Sequence, residues 1–205
     1  MLKSDIIAAI LRPGEAPGDN LVISPMPDLE ALAKSGAASV DLHLGRWFRT
    51  LRQARMTHVE TGENTSESEF TKLHYVPFAK DYVLHPQAFV LATTLEWVRL
   101  PANLAGYVVG RSTWGRRGLV IATAIVVHPG FAGCLTLEMC NVGEIPISVQ
   151  PGTEICQLCL QRVETASGAI LQDKSVFAGR RRPILGRVRP DEIAQRLRQA
   201  YQAAV

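Results

Sequence analysis

The sequence predicts a mainly β protein, closed or sandwiched, and three observations carry that expectation. Short apolar runs recur between residues 38 and 163, separated by Gly, Pro and Asn. Ser39-Val40-Asp41-Leu42-His43-Leu44 alternates with period 2, the period of a half-buried strand. No internal repeat and no interdomain linker interrupts the 205 residues, enough for one sizeable core, so a single domain over 1–205 is expected. Within it, 1–36 reads as a helical and strand extension and 165–205 as a tail and helix.

In order, residues 3–11 predict a short helix with Ser4 as its cap and Arg12-Pro13-Gly14 as its stop. Leu21-Val22-Ile23 is a strand candidate ended by Pro25. Residues 27–34 predict one or two helical turns with Pro27 at the opening position. After the alternating run, Gly45 separates it from a second strand-like piece, Trp47-Phe48-Arg49-Thr50-Leu51. Residues 55–72 are polar, aperiodic and read as a mobile loop. Strand-like runs follow at 73–78, 88–99, 105–109, 118–127, 131–140, 145–149 and 153–163, and a helix at 189–204 with Asp191-Glu192 in its first turn. Helices are thus expected to be short and peripheral, at both ends.

Composition excludes several classes. No apolar run reaches the ~18–20 residues of a membrane span, and the N-terminal stretch is too short and too soon acidic for a secretory signal. The expectation is a cytoplasmic protein without a membrane partner. The net charge of +3 is mild, and no nucleic-acid-binding signature is present, so no nucleic-acid partner is expected. The arginines are nevertheless clustered, at 111, 116 and 117 and again at 180–182, a pattern suited to phosphate as well as to a solvated surface. Cys134, Cys140, Cys156 and Cys159 fall in apolar strand-like runs and read as buried, reduced thiols.

Three constellations could carry chemistry. His58-Val59-Glu60 with Cys156-x-x-Cys159 imitates the zinc deaminase signature. However, the first part lies in the polar loop, and the cysteines lie three apart in a strand, where they point to opposite faces. Zinc is therefore not expected. Gly110-Arg111-Ser112-Thr113-Trp114-Gly115-Arg116-Arg117-Gly118 joins two apolar runs and offers small donors and bidentate guanidinium groups, although a plain polar turn has the same composition. In Phe131 to Asn141, Leu135, Leu137 and Met139 share one face, while Cys134, Thr136, Glu138 and Cys140 share the other. With both faces covered, Glu138 would be a carboxylate in an apolar place, suited to proton shuttling. A solvent-facing or arginine-paired glutamate has the same pattern.

Taken together, the segments resemble the dCTP deaminase and dUTPase superfamily, nearer to the dCTP deaminases. The residues that carry the likeness are Ala38 to Gly45 with Phe48-Arg49, His85 to Glu96, Leu100-Pro101, Gly106, Gly110-Arg111-Ser112-Thr113, Arg116, Pro129 to Glu138 with Asn141, and Pro151 to Leu158. Each is modest; their order and spacing are specific. The resemblance implies a distorted β-barrel or jelly-roll of the dUTPase-like type, assembled as a homotrimer with sites between subunits. It also implies a pyrimidine deoxynucleotide substrate, dCTP or a relative, and Mg²⁺ held by the substrate's triphosphate rather than by the protein.

The site residues that the resemblance implies are as follows. Glu138 activates the attacking water, Arg116 assists at the base, Ser112 helps to hold the water, and a backbone carbonyl near Ala124 fixes it. Arg111, Ser112 and Thr113 bind phosphate, with Gln157, Lys174 and Arg180 as further candidates. Thr123, Ala124, His128 and Phe131 face base and sugar. The implied reaction is deamination of dCTP to dUTP and ammonia, in dUTP and dTTP supply. The alternatives are a dUTP diphosphatase, a bifunctional deaminase–diphosphatase and a non-catalytic nucleotide-binding trimer. Departures from the family pattern are His128 where an acidic residue is usual, a stretch 118–127 about one residue short and without its histidine, Phe177 in place of a tyrosine, and Arg180 in place of a glutamine.

Overall fold

The computed structural model describes residues 1–12, 20–52, 67–164, 177–186 and 192–204. The chain runs α1 (Ser4–Leu11), β1 (Val22–Ser24), α2 (Leu29–Lys34), β2 (Val40–Leu51), α3 (Glu67–Phe70), β3 (Thr71–Tyr75), β4 (Tyr82–Leu84), β5 (Phe89–Arg99), β6 (Leu104–Gly110), α4 (Ser112–Gly115), β7 (Leu119–Ile121), β8 (Val126–Val127), β9 (Ala132–Asn141), β10 (Ile147–Val149), β11 (Glu154–Arg162) and α5 (Glu192–Ala204).

The main sheet is antiparallel, in the order β7-β9-β5-β2-β11-β6-β8, with β1 added on β5 and β3 on β2. A small second sheet pairs β4 with β10. The two ends of the main order, β7 and β8, are consecutive in sequence and joined by residues 122–125 alone. Five extended steps span at most ~18 Å, so the sheet has to curl until its edges approach. The result is a mainly β, curled half-barrel with a few short helices. Its core includes Leu42, Leu44, Phe48, Leu100, Leu137, Met139, Ile155, Leu158 and Leu160, all essentially inaccessible. Each such burial contributes about 1.5–3 kcal/mol.

Several boundaries differ from the sequence expectation, each for a physical reason. Gly45 does not divide two strands; β2 runs through it. A Cβ at that position would stand 2.8 Å from the carbonyl oxygens of both Thr93 and Thr94, so glycine permits the close approach of β5. The apolar run 118–127, in contrast, is two strands and not one. The helix-opening assignments also shift. Ser4 is inside α1, Lys3 occupies the cap position, and no side chain caps the helix. In α2 the cap is Asp28, whose carboxylate accepts from the amides of Glu30 and Ala31 at 2.9 and 3.1 Å, so Pro27 precedes the cap. The part of the polar loop at 67–72 is a helical turn leading into β3, while 53–66 lie outside the described residues. Among the described residues, no helix is long and apolar enough to cross a membrane.

Candidate active site

Residues 119–127 begin on one edge of the curled sheet and end on the other. Leu119, Val120 and Ile121 pair with Asn141, Cys140 and Met139 of β9. The Ala122 amide adds one more bond, to the Glu138 carbonyl at 2.8 Å. There the ladder stops and a side chain replaces it. The Thr123 hydroxyl accepts the Glu138 amide at 2.8 Å and lies 3.4 Å from the Thr136 carbonyl, within donating reach. The chain then crosses to β6, where Val108 donates to the Ile125 carbonyl and Val126 and Val127 pair with Tyr107 and Gly106. This crossing leaves a cavity of about 540 Å³ in the seam.

Glu138, half-buried, lines that cavity with Thr123, Ala124, His128 and Phe131, so five of the expected site residues meet in one place. Phe89, Leu91, Val127 and Leu135 complete an apolar wall, of which Phe89 and Leu91, both on β5, carry no signal of the site in the sequence. Alternation along β9 is as the sequence indicates: Leu135, Leu137 and Met139 are buried, and Glu138 faces the other way. Among the described residues no ion pair engages Glu138. Cys134 shares the cavity, and burial foremost raises its thiol pKa, so it is protonated near neutral pH. Among the described residues, Glu138 and His128 are the other titratable side chains that line the cavity.

Residues 177–186 cover the mouth. Gly179 donates to the Ala132 carbonyl, and Cys134 donates to the Arg180 carbonyl at 2.9 Å, so the segment extends the free edge of β9. Arg49 donates to the Pro183 carbonyl at 2.9 Å. The guanidinium of Arg181 lies 4.9 Å from the Trp97 ring and that of Arg182 4.2 Å from Trp47. Two of the clustered arginines thus rest on aromatic faces, and Arg180 bonds β9 through its backbone. Phe177, Ile184 and Leu185 then face the cavity. Lys174, the remaining tail candidate, lies outside the described residues.

The other expected residues gather elsewhere. Arg111, Thr113, Trp114, Arg117, Thr153 and Glu154 line a separate depression. Arg111 Nη1 lies 2.5 Å from a Glu154 oxygen and 2.6 Å from an Asp41 oxygen. Gln157 donates to that same Asp41 oxygen at 3.0 Å. Ser112 opens α4, and Arg116 caps it from an exposed position. None of Arg111, Ser112, Thr113, Arg116 or Gln157 reaches the Glu138 cavity in its own chain.

Cys156 and Cys159 alternate in burial along β11. Cys156 is fully enclosed, its pKa pushed up to about 12 mainly by burial, while Cys159 is half-buried on the opposite face. The strand geometry that separates them is therefore present; His58 and Glu60 lie outside the described residues. Among the described residues, no group of three or more His, Cys, Asp or Glu side chains could hold a metal ion.

Comparison with known proteins identifies this architecture. Residues 7–163 match the profile of the family described as dCTP deaminase-like. A relative named "dCTP deaminase, dUMP-forming" from Methanobrevibacter smithii is 36% identical over 146 residues, 71% of this chain and 74% of that protein. One of the same name from Corynebacterium glutamicum (strain R) is 44% identical over 124 residues, 60% of this chain and 65% of the relative, so the chain spans just under two thirds of it. A crystal structure of 2′-deoxycytidine 5′-triphosphate deaminase from Agrobacterium tumefaciens superposes with a TM-score of 0.57 at 22% identity, covering 80% of this chain and 46% of that one, a likeness of fold. With a match over most of its length and a fold to suit, the chain belongs to the dCTP deaminase-like family.

Proposed function

We propose that the protein is a hydrolytic deaminase acting on dCTP. The observation that carries this reading is the placement of Glu138, a carboxylate without an ion pair among the described residues, in an apolar cavity beside Thr123 and Ala124. Deamination requires a water oxygen to bond C4, a proton to leave that water, and a proton to reach the departing amino group as the C4–N bond breaks. One carboxylate can take the first proton and return it to the leaving ammonia. The apolar walls limit competing water, and the backbone clips at Ala122 and Thr123 fix the strand that carries the carboxylate.

The phosphate end of the substrate belongs, in this reading, to Arg111, Ser112 and Thr113 of a neighbouring copy, with Arg116 reaching the base. The separation of the two clusters within one chain supports an assembly whose sites are shared between subunits, a homotrimer. Magnesium enters as a passenger of the triphosphate. The two carboxylates beside Arg111 favour a cation-neutralised polyphosphate over a bare one.

The expectation of dUTP as released product gives way to a second reading favoured by the relatives, whose names specify dUMP. In it, a second water attacks the α-phosphate and releases pyrophosphate, and His128 is the further proton-exchanging group in the cavity. Incubation with dCTP, dUTP and Mg²⁺, with ammonia, pyrophosphate and nucleotide assayed together, decides the matter. Ammonia and pyrophosphate in equal amounts with dUMP are expected. Ammonia with dUTP alone restricts the enzyme to deamination, and no ammonia from dCTP overturns the proposal.

A further inference from the structure

We propose that Glu154 is an internal competitor for the phosphate-binding arginine, and that it sets the affinity of the site for polyphosphate. The inference rests on the assignment of Arg111 to phosphate. One nitrogen of Arg111 is shared by two carboxylates, Glu154 at 2.5 Å and Asp41 at 2.6 Å, so its positive charge is already more than matched where an anion has to bind, and only Arg117 in the same depression offsets the excess.

The two carboxylates are not equivalent. Asp41 is tied a second time, by the Gln157 amide, at a register pair of β2 and β11. The Glu154 carboxylate is held, among the described residues, only through Arg111, and its side chain is the more exposed of the two, 48% against 38%. Its position follows from an irregularity of β11. The register to β2 shifts between Glu154 and Cys156, and a bulge of this kind re-aims a side chain. Meanwhile the Glu154 carbonyl accepts the Trp114 indole N–H at 2.9 Å, so its backbone stays fixed against the loop that carries Arg111. Asp41 therefore orients the guanidinium, whereas Glu154 offers it a carboxylate that a phosphate oxygen can replace by rotation of one exposed side chain. Displacing it opposes binding by the strength of one exposed charge pair, and more strongly for ligands of higher charge.

The test is direct binding of inorganic tripolyphosphate and of orthophosphate, by calorimetry at fixed Mg²⁺, to the full-length protein, Glu154→Gln, Arg111→Ala and the double variant. Glu154→Gln is expected to tighten tripolyphosphate about 2- to 5-fold, the range of an exposed ion pair, and orthophosphate less. In the Arg111→Ala background the same substitution is expected to do nothing. Weaker or unchanged binding in Glu154→Gln, with Arg111→Ala clearly weakened, overturns the competitor role and makes Glu154 a positioning residue or a bystander. Unaltered binding in Arg111→Ala removes the phosphate assignment itself, and the inference with it. Turnover of dCTP is not needed for any arm, so failure of the deaminase reading is separately visible.

Discussion

The seam between β7 and β8 and the loop after β6 solve opposite problems with the same backbone. At the seam, a carboxylate stands among apolar side chains; its strand is paired with β5 along one edge and, past the end of the β7 ladder, is clipped on the other by a threonine hydroxyl and a single amide bond. Beyond β6, an arginine stands on the surface, saturated with carboxylates. Low polarity around Glu138 makes its electrostatic interactions strong. High polarity around Arg111 makes its contacts exchangeable, screened and individually weak. Chemistry that moves protons fits the first setting, and reversible grip of a charged chain fits the second.

The sharpest way to break this contrast is Glu138→Gln, which preserves shape and removes the basic oxygen. The kcat for ammonia release is expected to fall by about 10²–10⁴-fold, the usual loss on removing a general acid–base group, with nucleotide binding retained. A similar rate in the variant would place the proton shuttle elsewhere.

A second test asks whether the two regions cooperate across copies. Glu138→Gln and Arg111→Ala proteins, unfolded and refolded as a 1:1 mixture, should recover activity in about a quarter of the sites of a closed ring, since random assembly restores both groups to that fraction. No recovery, with mixed assemblies demonstrated by mass spectrometry, would mean that each site draws on one chain.

The smallest effect is expected at the clip. Thr123→Val leaves the Glu138 amide without its acceptor, a loss of about 1–3 kcal/mol if unrelieved, and is expected to lower kcat about 10-fold while Thr123→Ser restores it. Equal activity in both variants would show that the hydroxyl does not position Glu138.

Much of this was legible in the sequence, and the residues show why. Period-2 alternation puts Glu138 on the opposite side from Leu137 and Met139, because pleating alone decides that. Strand existence was readable from apolar runs bounded by Gly and Pro. Hydrophobicity could not divide 119–127, since the break is made by a hydroxyl bond at Thr123 and the flanking residues are equally apolar. Gly45 looked like punctuation because one sequence does not reveal that two carbonyls approach it. Ile184 and Leu185 gave no signal, since their partners are assembled only by the curled sheet. Pairing of Arg111 with Glu154, 43 residues apart, depends on the strand irregularity before Cys156.

The joining of both sheet edges by one short segment has a consequence for how the molecule opens. In an ordinary open sheet the two outermost strands fray independently. Here strain on either edge is transmitted through residues 122–125 to the other, so both edges should loosen in one concerted event. Amide hydrogen exchange at Ala122, Glu138 and Val108 would then proceed with a common opening free energy, although these residues lie on different strands. Proteins that detach this segment would lose the wall of the cavity and the closure of the barrel together, tying the lifetime of a competent site to the integrity of the fold.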